Sequence, residues 1–156
     1  MKKTLTNLMI SGLLLSLFSC GGESEPAADA SAEAPKSMYA DKREAADPMK
    51  NKGIGPVKSV ELGELDAAMV EEGRLIYEEK CSACHKATER YIGPAPSKIL
   101  ERRTPEWVMN MILNPEQMVA EDPIAKELLK EYLSPMANQS LTEEETRKIL
   151  EYFRTI

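Results

Sequence analysis

EEKCSACHK, residues 78–86, is the stretch from which the rest of the chain can be read. Cys81 and Cys84 stand three positions apart, and His85, the only histidine in 156 residues, follows at once. Three uses of such a pair fit the remaining sequence poorly. A thioredoxin-like redox pair belongs in a βαβ setting, and no segment here alternates as a strand would. A zinc site needs four Cys or His ligands, and beyond these three side chains the chain offers only Cys20, far away in sequence just after the apolar N-terminal run. A disulfide between Cys81 and Cys84 would close a very small loop and constrain little of the unfolded chain.

Cys-x-x-Cys-His matches the attachment signature of c-type haem, and each residue has a physical reason to be there. Two thiols add across the two vinyl groups of a porphyrin and give thioether bonds that do not dissociate. Ser82 and Ala83 set their spacing on a helical turn. His85 is thereby placed under the iron as its proximal ligand. The cofactor expected is one haem c, bound covalently through both thioethers.

The signals around the motif are helical. Asp66 is an N-cap for a helix with Met69, Val70, Gly73, Ile76 and Tyr77 along one side. Thr104 with Pro105 starts a helix through Trp107, Met111 and Ile112, and Asn114-Pro115 stops it. Asp122 with Pro123 repeats the start signal for a helix burying Ile124, Leu128, Leu129 and Tyr132. Thr142 and Glu145 form a capping box ahead of Ile149, Leu150 and Phe153. The expected fold is all-α, about four short helices over residues 61–156. So small a domain buries little surface and gains from a cofactor in its core.

With these features in place the chain resembles the small soluble monohaem cytochromes c, over about residues 64–156. GRLIYEEKCSACH puts Gly73 and Tyr77 at the spacing with which that family crosses its first helix against its last, where Tyr152 supplies the partner. YIGPAP resembles the family's Gly-Pro stretch, which implies that the Pro94 carbonyl accepts the second ring N–H of His85. Trp107 stands where relatives often place an aromatic over a haem propionate; core filler is the alternative.

One histidine rules out bis-histidine ligation within the chain, so the sixth iron position falls to a methionine, a lysine, another weak ligand or none. Of nine methionines, Met1 and Met9 fall in the signal segment and Met38 and Met49 in the linker. Met69 shares a helix with the proximal side, and Met109 and Met111 are expected in the core. Met118 and Met136 are left in loops. Met136 is preferred because Pro135 and the capped last helix restrict its loop, and the family resemblance places the distal methionine there. Met118 or an open site is the alternative.

The N-terminus adds localisation. Lys2 and Lys3 precede an apolar run from Leu8 to Phe18, too short for the roughly 20 residues of a spanning helix and suited to an export signal over residues 1–19. LFSC, residues 17–20, resembles the lipobox of bacterial lipoproteins and implies that Cys20 becomes a lipid anchor; an ordinary secretory signal is the alternative. Residues 20–60 read as a flexible linker, poor in apolar side chains. The alternative, an arm packed on the domain, gains weight near residues 53–63. Loss of Lys2 and Lys3 leaves 18 Lys plus Arg against 26 Asp plus Glu, near −8, which argues against nucleic acid as a partner.

A haem saturated by His and Met has no place for substrate, so the expectation is a one-electron carrier and not an enzyme. It would be held by lipid in the periplasm at a bacterial membrane. There it would shuttle electrons from a quinol-oxidising complex to a terminal reductase or oxidase. RRTPEWVMNMILNPEQM (102–118) and DPIAKELLKEYLSPMANQSLTEEE (122–145) resemble small lipoprotein cytochromes associated with nitrous-oxide reductase. The competing classes are a five-coordinate haem sensor or peroxidase-like protein, and a fixed haem subunit of a larger respiratory complex.

Overall fold

The computed structural model describes residues 47–156. The signal segment, Cys20 and the linker up to residue 46 lie outside the described residues. Five α-helices make up the described fold: α1 (Ala67–Lys80), α2 (Pro105–Leu113), α3 (Pro115–Glu121), α4 (Pro123–Tyr132) and α5 (Glu143–Phe153). Among the described residues there is no strand.

The helix starts follow from cap chemistry. The Asp66 side chain accepts from the backbone N–H of Ala68 and Met69, Thr104 from Trp107, and Asp122 from Ala125. Thr142 and Glu145 close both halves of their capping box. α3 is the difference from the sequence reading. Asn114 does end α2, but Pro115 sits at the first position of a new turn, where its missing N–H costs nothing. Met118 N–H already donates to the Asn114 carbonyl, so the segment read as a loop is a short helix.

α1 and α5 cross at backbone contact. A methyl group on Gly73 would lie 1.9 Å from the carbonyl oxygen of Lys148, so only glycine lets the two helices approach this closely. One turn on, the Tyr77 ring meets Tyr152 at 5.4 Å and the edge of Phe153 at 5.8 Å between centroids. The crossing expected from Gly73, Tyr77 and Tyr152 is present. Val108, Met109, Ile112, Ile149 and Leu150 complete the core that α2 and α5 share.

The boundary expected at residue 61 is corrected, because part of the segment read as linker belongs to the domain. Asn51 and Val57 are buried at 6% and 3% exposure. Asn110, fully buried on α2, accepts from Val57 N–H at 3.0 Å and donates to the carbonyls of Lys52 and Val57 at 2.9 Å each. Ile54 N–H donates to the Met118 sulfur at 3.0 Å. The arm carries few apolar side chains, but it does not need many. Its backbone groups are satisfied by buried amides and a thioether waiting on α2 and α3.

Candidate haem site

α1 delivers the motif. Cys81 N–H and Ser82 N–H both donate to the Tyr77 carbonyl, and Cys84 and His85 N–H both donate to the Cys81 carbonyl. The chain therefore winds off the helix in tight turns, and Cys81, Cys84 and His85 line one cavity together. Tyr77 Oη donates to the His85 carbonyl at 2.7 Å, and Gly93 N–H to the Cys84 carbonyl at 2.8 Å. Burial, followed by the charges of Tyr152 and Cys81, pushes the Tyr77 hydroxyl up to about 12, so this donor stays protonated.

The imidazole is fixed from two sides. His85 Nδ1 lies 2.8 Å from the Pro94 carbonyl oxygen, which can only accept, so Nδ1 carries the proton and Nε2 is left as the metal-binding nitrogen. A methyl group on Gly93 would come within 2.4 Å of His85 Cε1, so the ring packs directly against a backbone with no side chain.

The thiols are free, Cys81 half-buried and Cys84 exposed. Burial, with Cys84 contributing second, pushes the Cys81 thiol up to about 11. A thiol held in its protonated form is a poor redox nucleophile. Among the described residues no group of three or more His, Cys, Asp or Glu side chains is placed to hold a metal ion.

The remaining walls come from elsewhere. Met136 and Pro135 enter from the loop between α4 and α5, Leu128 and Leu129 from α4, Val119 from α3 and Met111 from α2. The sequence reading placed Met109 and Met111 in the core; Met109 is a core residue, and Met111 packs against the core and also lines the cavity. Met118 is fully buried, with its sulfur engaged by the arm, and does not line the cavity. The structure thus brings Cys81, Cys84, His85 and Met136 together and keeps Met118 apart.

Arg102, Arg103 and Trp107 also line the cavity and were not read as a group from the sequence. Arg102 donates to the carbonyls of Ala95 and Ser97. Arg103 stacks over the Trp107 ring at 5.2 Å, and its Nε is buried with no hydrogen-bond partner in the protein. Burial, with Arg102 adding to it, pulls the Arg103 pKa below its ordinary value. The signal was legible as two adjacent arginines in ERRTP just ahead of a helix cap, but nothing in the sequence aimed them at the motif. The Trp107 ring faces the cavity, whereas its N–H donates to Asp122 at 3.2 Å.

Such a cavity suits an apolar macrocycle carrying carboxylates. It offers aliphatic walls, two thiols and an imidazole on one side, and a guanidinium with an unused buried donor. The residues present fit a haem.

A family model for cytochrome c matches residues 70–156. The chain belongs to the cytochrome c family. Among solved structures, this cytochrome c is similar to cytochrome c from Rhodothermus marinus, at 42% identity and a TM-score of 0.65, over 72% of this chain and 95% of that one. An engineered form of the same protein matches at 42% identity and 0.64, over 72% and 96%. A third structure, that engineered form bound to a carbene intermediate, matches at 42% identity and 0.62 over the same shares. No curated protein matches the chain. Class I monohaem architecture, a covalently bound haem c and a role as a haem-based electron carrier follow from membership.

Proposed function

We propose that this cytochrome c holds a single haem through thioethers at Cys81 and Cys84, that His85 and Met136 would ligate its iron, and that it carries one electron at a time without catalysing a reaction of its own. The observation behind this reading is that Met136 lines the cavity of the CSACH motif while Met118 is buried against the arm. The haem supplies a reversible one-electron couple, and a thioether ligand raises its potential. The chain's part is to keep both ligands in place in either oxidation state. Pro94 and Gly93 fix the imidazole, and the loop between Leu133 and Thr142 presents Met136. Arg102 and Arg103 supply positive charge for the propionates.

The location and partners of the carrier are further parts of the proposal. Cys20 is its lipid anchor, and the segment up to residue 46 is its tether in the periplasm at a bacterial membrane. The donor is a quinol-oxidising complex and the acceptor a terminal reductase or oxidase. The resemblance of residues 102–118 and 122–145 favours nitrous-oxide reductase and so denitrification.

The test is a haem stain combined with a visible spectrum. Denatured protein on a gel should retain haem peroxidase stain, and Cys81→Ala with Cys84→Ala should abolish it. Stain that survives the double substitution defeats covalent attachment at these residues. The oxidised native protein should show the weak long-wavelength band of methionine ligation. Rapid carbon monoxide binding by the reduced protein, with no such band, would instead support the five-coordinate sensor or peroxidase reading.

A further inference from the structure

Asp122 is buried at 1% exposure, and all three of its partners donate to it. Its Oδ1 accepts from Ala125 N–H at 2.8 Å and from Trp107 Nε1 at 3.2 Å, and its Oδ2 accepts from Asn51 Nδ2 at 2.6 Å. Two of these donors, Trp107 and Ala125, belong to residues that line the haem cavity. The carboxylate therefore stands one side chain behind the cavity wall. The third donor belongs to the arm, which covers Asp122 from water. The Asn51 carbonyl in turn accepts from Thr104 Oγ1 at 2.6 Å. Among the described residues no lysine or arginine forms an ion pair with Asp122; the cation that feels its charge is Arg103, stacked on the Trp107 ring, and it does so without contact.

We propose that the buried carboxylate of Asp122, held and covered by Asn51 of the N-terminal arm, is a positioning charge that lowers the reduction potential of the haem bound in the adjacent cavity. The inference rests on the haem reading above. Oxidation adds one positive charge at the iron. A fixed negative charge behind the wall stabilises the oxidised form, and the low dielectric of the interior lets that interaction act with little screening. The N-cap role of Asp122 does not require the charge, since asparagine and serine cap helices comparably. The three donors require an acceptor at both oxygens, which a carboxylate supplies and an asparagine amide does not, so the partners hold Asp122 as the anion.

The experiment compares midpoint potentials of the purified holoprotein, Asp122→Asn and Asn51→Ala. Asp122→Ser serves as a second neutral cap should the asparagine variant fold poorly. Neutralising Asp122 should raise the potential, by about tenfold in the ferrous-to-ferric ratio, or 59 mV for a one-electron couple. A rise that persists from low to high ionic strength would mark a buried charge. Asn51→Ala keeps the carboxylate and should shift the potential less. A purely structural role gives the opposite sign. Loosening the wall admits water, water favours the more highly charged oxidised haem, and the potential falls.

A fall or no change in both neutral-cap variants, with the methionine band intact, overturns the proposal and leaves the carrier reading standing. A wild-type protein that carries no covalent haem overturns both.

Discussion

The Nδ1–H of His85 donates to the carbonyl oxygen of Pro94 over 2.8 Å, and Gly93, the residue between Ile92 and that proline, lies against the ring edge. Orientation and close approach are thus supplied by adjacent residues of one loop. Gly93→Ala should drive a methyl group into the imidazole, because the site for it lies 2.4 Å from Cε1. The ring or the loop must then shift, at a cost of about 1–3 kcal/mol in stability. The expected result is a lower melting temperature together with a weakened methionine band and an altered potential. An unchanged spectrum would show that the ring is not held by this loop.

The two loop methionines of the sequence reading should separate cleanly. Met136→Ala should abolish the methionine band, lower the potential and open the iron to added ligands, while the helices persist. Met118→Ala should leave the spectrum unchanged and instead destabilise the fold by about 2–5 kcal/mol. It removes a fully buried side chain and strands the Ile54 N–H that its sulfur accepts. Denaturant melts followed by far-ultraviolet circular dichroism, with spectra of both variants, test the pair. Loss of the band in Met118→Ala and its retention in Met136→Ala would reverse the assignment.

Much of the fold was legible because cap chemistry is local. Asp66, Thr104, Asp122 and Thr142 announce their helices within three or four residues, and the structure places a helix after each. α3 was missed because Asn114-Pro115 carries two meanings, a stop for one helix and a first-turn proline for the next. The arm was read only as the alternative, near residues 53–63, for a different reason. Its anchorage lies in Asn110, Met118 and Asp122, each more than 50 positions along the chain, and no local pattern in residues 47–60 reports a partner that distant. The site divides the same way. Cys81, Cys84 and His85 are one short motif, whereas Arg103 and Met111 reach the cavity only through the packing of the segment before α2 and of α2 itself.

The arm itself gives a test of where the domain begins. A chain starting at residue 61 lacks every contact that Asn110 makes with Lys52 and Val57. It should be several kcal/mol less stable than one starting at residue 47, since buried polar groups stranded in this way cost about 1–3 kcal/mol each. Asn110→Ala in the full chain should reproduce part of that loss and reduce amide-exchange protection at Val57, whose N–H it accepts. Equal melting temperatures for the two chain lengths would show that the arm contributes nothing.

The last prediction concerns pH and the link between α5 and the segment ahead of α1. Glu151 is fully buried. Its Oε1 accepts from Arg154 Nη1 at 2.6 Å and from Asp66 N–H at 3.1 Å, and its Oε2 accepts from Arg147 Nη1 at 2.5 Å. Arg154 also reaches the Gly63 carbonyl, so the cluster ties the last helix to the start of the first. Burial alone would raise the Glu151 pKa, but the hydrogen bonds from Arg154, Arg147 and Asp66 outweigh it and hold the carboxyl below its ordinary value. A depressed folded-state value means that the stabilisation is fully present above the unfolded pKa of about 4.3. It is lost as pH falls through the folded value. Glu151→Gln should therefore cost about 2 kcal/mol near neutral pH, and the gap to the wild type should narrow steadily below about pH 4. Urea unfolding of both proteins across that range measures it. A gap of constant size down to pH 3 would mean that Glu151 acts through packing and not through its charge.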